Sequence, residues 1–551
     1  MKKLYFLALS VLASASLMAA QVKVTAGTAG SELQAAVDGA TSGDTVLVQA
    51  GTYEGNFTMK DGVYVSGGWN EDFTAQTKHA SILDAKANGR VLNQPADFTT
   101  LTIWDNFTIQ NGKLSAADGS KNLGAGVALM KKGRVINCLI QNNTFDYSGN
   151  CIGGGIGQDV GDRNDTCAIN CVVRNNFASH GGGVRIRGVI LNSIIEENTS
   201  TTNAGGGMHL QGGAAYNCII RNNESLKNTG GVRCYGTSDL VNCLIVGNKA
   251  GGKVGGVGCE SKPSNIINCT IVGNEQVNTG GDAVFCGLSD GIGNTDYHKD
   301  KLFVNNIIWG NKAGGEVQVV QANSHIKRYS TFKNNALSDT TNLGKEYFAL
   351  NADNAAVNGP QFTENYGITW TSPLYNAGSN EALIYLVGDK DVYGNVRRQG
   401  ENIDLGAVEH TVHTLTVAAV ENGTLALKVL EQTMPLEAKA YEVPAGFTAT
   451  ILATPAEKYA LESILLNGSV LAAVEDVYTL PAVQSDVTLG ATFVTESDPD
   501  TPTNVENVLS MSQVVAVYDM LGRQISTTPD QLTTGLYIVL TTKGTHKISI
   551  K

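Results

Sequence analysis

The chain has 551 residues, with 63 Gly, 11 Pro and 10 Cys, and a formal charge of −12. Hydrophobic residues at 42% are too many for a disordered chain. The negative balance argues against a nucleic-acid binder, which carries a basic stripe. Past residue 20 no apolar run reaches the roughly 18 residues that a membrane helix needs.

Lys2 and Lys3 precede the apolar stretch from Leu4 to Leu12, and small residues follow as far as Ala20. This order predicts a secretory signal peptide over 1–20, cut before Gln21. Ser31-Glu32-Leu33-Gln34 reads as a capping box that opens a short helix running to Val37. Gly43 to Val48 and Gly51-Thr52-Tyr53 then read as the first short strands.

Internal repeats dominate the next 250 residues. An apolar-Asn-Cys-apolar-Ile pattern starts at Ile136-Asn137-Cys138 and returns at Cys171, Cys218, Cys243 and Cys269, with Ser193 and Asn306 standing in for Cys. A second pattern, Gly-Gly-apolar-x-apolar, gives Val184-Arg185-Ile186, Met208-His209-Leu210 and Val232-Arg233-Cys234. Alternation at period two marks short strands with one buried face. A repeat of this size buries that face only by stacking on its neighbours, which predicts a parallel β-solenoid.

In register, Ile186, Leu210, Cys234, Cys259 and Cys286 share one inward position, and Cys138 to Asn306 share another. The ladder cysteines read as small buried hydrophobes. Cys151 and Cys167 lie off the ladders, in an insertion, and are the best disulfide candidates of an exported chain. Only Cys167 and Cys171 approach the paired spacing that zinc requires, so no metal site is expected. Asn143, Asn176, Asn198, Asn223, Asn248, Asn274 and Asn311 recur at one turn position. They read as an amide ladder whose members adopt the left-handed backbone that Asn tolerates.

This region resembles the right-handed parallel β-helix family, and its paired motifs are similar to the repeats of bacterial polymorphic outer-membrane proteins. Residues 345–410, with Thr371-Ser372-Pro373-Leu374 and Asp404-Leu405-Gly406-Ala407-Val408-Glu409, resemble the closing segment of choice-of-anchor β-helix proteins. Asn422-Gly423 is a hairpin signal, and with Leu466-Asn467-Gly468 and Ala491-Thr492-Phe493 residues 411–495 resemble the internalin-B-type β repeat. An acidic linker spans 496–505. Residues 506–551 carry Val517-Tyr518-Asp519, Gly535-Leu536-Tyr537 and Lys547-Ile548-Ser549. These blocks resemble the type A sorting domain of type IX secretion. The expected fold is therefore all-β: a β-helix over 21–410 with an N-terminal cap helix, a small β spacer, and a β-sandwich-like sorting domain. The last resemblance implies the type IX machinery as a partner, export through the outer membrane, and a cell-surface or extracellular location.

Outward positions carry the candidate site. Arg185, His209 and Arg233 stack on one strip at 24-residue intervals, with Arg187, Gln211 and Tyr235 beside them. Arg174 and Arg221 lie on a following strand. On an acidic protein a basic and aromatic strip suits an anionic glycan. Uronate β-elimination needs a group that neutralises the carboxylate and a base for the C5 proton. Glycoside hydrolysis needs two carboxylates across one bond, and the outward strip supplies mainly Glu196 and Glu260, on different strands. Asn294-Thr295-Asp296 is similar to one polygalacturonase block, whose companion blocks are missing. Asp159, Asp162 and Asp165 are spaced too loosely to predict calcium. The expected function is a non-catalytic glycan-binding or adhesion module, monomeric and without cofactors. The alternative is an extracellular polysaccharide lyase. Insertions near 112–123 and 145–167 are the expected loop walls of any cleft.

Overall fold

A computed structural model describes residues 19–116, 122–146, 149–161, 165–252, 254–260, 264–277, 288–289, 301–314, 316–317, 330–337, 359–429, 432–495, 503–504, 514–526, 532–542 and 544–550. Residues 1–18 of the expected signal peptide, Cys286, Asp162 and the Asn294–Asp296 block lie outside the described residues. The chain divides into two compact units, Met1–Thr411 and Val412–Lys551.

The first unit is a parallel β-helix. A full coil contributes one strand to each of three long parallel sheets. Among the described residues the first sheet has 12 strands, the second 11 and the third 9, and a shorter sheet of 7 strands joins the second to the third. One coil runs Val184–Ile186 in the third sheet, Val189–Leu191 in the first, Ile194–Glu196 in the second, then Thr199–Ala204 in the short sheet, and returns to the third at Met208–Gln211. Coils therefore sit one strand spacing apart, about 4.8 Å.

Period-two alternation is what fills the interior. Ile195 pairs with Ile220, Ile220 with Ile245, Ile245 with Ile271 and Ile271 with Ile308, and all five are buried. Ile186, Leu210, Cys234 and Cys259 form a second column in the expected register. Burying each such aliphatic side chain contributes about 1.5–3 kcal/mol.

The turns explain the Gly and Asn excess. A Cβ on Gly182 would stand 2.4 Å from the carbonyl oxygens of both Gly206 and Thr199. The backbones of successive coils thus approach too closely there for any side chain. At the turn into the second sheet, Asn170, Asn192, Asn217 and Asn242 hold φ values of 50–56°. At the next turn the amide ladder is present: Asn198 Nδ2 donates to Asn223 Oδ1, and Asn223 Nδ2 to Asn248 Oδ1, both at 2.9 Å. The left-handed residue, however, is the one before each ladder Asn: Asn142, Asn175, Glu197 and Asn222. The ladder Asn must keep its side chain pointing inward, so its neighbour reverses the backbone.

Three other expectations need correction. The helix spans Gly30–Gly39, with Ala29 at its N-cap and no side-chain cap bond. Ser31 therefore lies inside the helix, and Gln34 instead exchanges hydrogen bonds with the backbone of Thr58. The helix does cover the open end: Leu33 and Val37 are fully buried in the main core. Cys151 and Cys167 are both free and buried. Cys167 belongs to the main core, whereas Cys151 packs with Leu114, Phe145 and Ala178 in a separate cluster, so no bridge joins them. The ladder cysteines do more than fill space: Cys218 N–H donates to Cys243 Sγ at 3.4 Å, as Cys171 N–H does to Ser193 Oγ at 3.1 Å.

Residues 359–411 run along the outside of the coils. Asn217, Asn242 and Asn305 donate side-chain bonds to the carbonyls of Val387, Lys390 and Ser379. Ala407 packs among Ile219, Leu244 and Val246.

In the second unit, Val412–Val417 pairs with Ala440–Pro444 and, in parallel, with Val487–Thr495. Gly423–Val429 belongs to a different sheet, so Asn422-Gly423 crosses between sheets. A hairpin closes instead at Asn467-Gly468, where Leu466 pairs with Ser469. Among the described residues the C-terminal segment forms one five-stranded sheet around Val517, Val539 and Ile548.

Candidate functional site

The outer face of the third sheet carries the strip. Gly157 pairs with Arg185, Arg185 with His209, and His209 with Arg233. Gln211 pairs with Tyr235 in the adjoining column. The alternation that sends Val184, Ile186, Met208 and Leu210 into the core sends these side chains out.

Outward does not mean exposed here. Arg185 is buried, and its Nη1 donates to Asp159 Oδ1 at 2.7 Å. Arg187 Nε lies 3.7 Å from the same oxygen. Burial pulls the Arg185 pKa down and the Asp159 bond raises it again; the paired arginines hold the Asp159 carboxyl below the usual range, against its own desolvation. Asp159 thus neutralises two cations, which is the opposite of a calcium ligand.

His209 is 5% exposed, and neither ring nitrogen has a hydrogen-bond partner. Its ring stacks on His180 at 6.3 Å and meets the edge of Tyr235 at 6.2 Å. Burial, followed by the charges of Arg233 and Arg185, holds its pKa well below the ordinary value. Burial also lowers the His180 pKa. The Arg233 guanidinium lies 5.2 Å from the Tyr235 ring centroid, and Tyr235 is 40% exposed.

The face therefore joins Arg185, Arg187, His209, Arg233 and Tyr235 on three successive coils. Asp159 and His180 complete it. Asp159 comes from the 145–167 insertion and is legible only as a loop residue. Arg174 and Arg221 face a different sheet, where Arg174 bonds Gln141 and Arg221 pairs with Glu196 at 2.7 Å.

A second polar cluster lies in the 359–411 segment. Asp391, Arg397, Asp404, Glu409 and His410 are all buried. His410 Nδ1 bonds Asp404 Oδ2 at 2.8 Å, and Arg397 Nη1 lies 3.4 Å from Glu409 Oε2. Burial pushes the Glu409 carboxyl up to about 8, with Arg397 opposing and Asp404 adding to the rise. Ligand atoms of Asp404, Glu409 and His410 lie within 4.8 Å of one another, the spacing of a metal set. Arg397 already supplies the cation, and its Nη2 also holds the carbonyls of Asp404 and Gly406. The cluster works as a pin that locks this segment's turns together.

No family model matches the chain, and no curated protein matches it. Among solved structures it is similar to the pectate lyase Pel9A, at 15% identity over 72% of this chain and 98% of that one, with a TM-score of 0.40. It is also similar to a mannuronic acid specific polysaccharide family 6 lyase from human gut microbiota, at 12% identity over 60% and 90%, with a TM-score of 0.27. The parallel β-helix itself stands on the strand register described above.

Proposed function

We propose that the outer face of the third sheet binds an acidic glycan and does not cleave it. The observation that carries this reading is the grouping of Arg185, Arg187 and Arg233 with the open ring of Tyr235 on adjacent coils. A guanidinium recognises a carboxylate through paired N–H donors, and an aromatic ring stacks on the apolar face of a sugar. The coil spacing of about 4.8 Å matches the rise of a glycan chain by roughly one ring. The signal-peptide and sorting-domain resemblances fit the same proposal. The mature chain would be exported through the outer membrane by the type IX machinery and displayed, as a monomer, on the cell surface.

Lyase chemistry needs a basic group that reaches the C5 proton. His209 is the imidazole on the strip, and both its nitrogens are enclosed and of depressed basicity. Binding without turnover is the reading this geometry favours. A screen of the full chain against acidic and neutral glycans, with ultraviolet detection of unsaturated uronates, tests it. Acidic glycans are retained and no absorbance develops. Unsaturated product that disappears in His209→Ala or Arg233→Ala would establish the lyase instead. No retention of any acidic glycan would remove the binding role.

A further inference from the structure

Below the arginine strip the same face opens into a cleft of about 720 Å³, within the roughly 300–1,000 Å³ of ligand pockets. Its floor is the outer side of Phe57–Thr58, Leu92–Asn93 and Val127–Leu129, which are neighbours in the third sheet. Leu114, Asn122 and Leu123 form one wall, and Asp159 and Val160 the other. These walls come from the two insertions. Asp159 therefore borders both the cleft and the arginine strip.

The chemistry of the cleft differs from that of the strip. Among the described lining residues Arg90 is the one cation, and it is committed to the wall. Its Nε and Nη2 donate to the Leu123 carbonyl at 2.9 and 2.6 Å, and its Nη1 to Asn93 Oδ1 at 2.8 Å. The remaining polar groups are the amides of Asn56, Asn88, Asn93, Gln94 and Asn122, the hydroxyl of Thr58 and the paired carboxylate of Asp159. Amides both donate and accept, as sugar hydroxyls do. Met130 and Val160, the latter 39% exposed, add apolar surface for the C–H face of a ring.

We propose that this cleft is a subsite for a neutral, hydroxyl-rich sugar, adjoining the acidic-sugar subsites of the strip. The ligand is then a heteroglycan that carries both kinds of residue. This inference rests on the glycan-binding reading of the strip and adds a second chemistry to it. Asp159 marks the boundary: it borders the cleft and holds Arg185 and Arg187 in place.

Calorimetric titration of the full chain with two probes of equal length tests this. One is an oligogalacturonate; the other joins a galacturonate block to a block of neutral sugar. The block probe binds at least tenfold tighter. Thr58→Trp, which fills the cleft from an exposed position, removes that preference and leaves the oligogalacturonate affinity unchanged. Asn93→Ala reduces the preference in the same direction. Equal affinities for the two probes, or a Thr58→Trp protein that keeps the preference, would overturn the neutral subsite while the strip stands. Binding of neither probe would overturn the strip and the subsite together.

Discussion

Arg185 donates to Asp159 across 2.7 Å, joining a guanidinium that is 9% exposed to a carboxylate that is 51% exposed. Exposure on one side only makes this pair displaceable. Asp159→Asn keeps the shape and removes the charge. Losing a partner in a fully buried pair costs about 3–5 kcal/mol, and an exposed pair contributes under about 1. The loss here is expected at about 1–2 kcal/mol in urea unfolding. An acidic oligosaccharide should restore more stability to this variant than it adds to the wild type. Unfolding curves that coincide for the two proteins would deny the pairing any role.

The amide ladder gives a larger prediction. Asn223 Oδ1 accepts from the backbone and the side chain of Asn198, while its Nδ2 donates to the Ile195 and Arg221 carbonyls and to Asn248. Asn223→Ala leaves several of these groups buried and unpaired, at about 1–3 kcal/mol each. The variant should lose roughly 3–5 kcal/mol, and Asn223→Asp at least as much, since it also buries a charge. A midpoint shift worth less than 1 kcal/mol, on the scale of an ordinary surface change, would show that the column is not cooperative.

The cysteine column separates polar from apolar roles. Cys243 Sγ accepts from Cys218 N–H and donates to the Val241 carbonyl at 3.3 Å. Serine can do both; valine can do neither. Cys243→Ser should stay within about 1 kcal/mol of the wild type, and Cys243→Val should cost about 1–3. If valine were the better replacement, the column would be hydrophobic packing alone.

His209 adds a pH dependence. Its folded pKa is depressed by burial and by the nearby arginines, so below about 6.5 the unfolded chain binds the extra proton. The sign follows from linkage: this contribution is fully present above the unfolded pKa and is lost as pH falls towards the folded one. His180 acts in the same direction. His209→Phe keeps the ring and removes the titration. Its melting temperature should fall less than that of the wild type between pH 7.5 and 5.5. An equal fall in both proteins would exclude His209 as the source.

The inner columns were legible because a period of two and a repeat near 25 residues state which positions recur. Ile186, Leu210 and Cys234 align as expected, and so do Asn143 to Asn311. A repeat does not say which of two adjacent residues turns the backbone, so the left-handed conformation falls on Asn142 and Asn222 rather than on Asn143 and Asn223. Nor does alternation report what covers an outward residue. His209 points out and is still enclosed, because His180 and Tyr235 close over it from the neighbouring coils. Asp159, 26 positions from Arg185, has no motif around it. The capping box at Ser31 had the right letters, but Gln34 is held by Thr58 in the first coil, a tertiary contact that outweighs a local cap.

The central claim is that the arginines and Tyr235 bind an acidic glycan as one surface. The most direct measurement is calorimetric titration of an oligogalacturonate into the wild type, Arg187→Ala, Arg233→Ala and Tyr235→Ala, at two salt concentrations. Each variant should lose at least tenfold in affinity, about 1.4 kcal/mol. The salt dependence should weaken when either arginine is removed. Affinity unchanged in all three variants, with the fold intact, would contradict it.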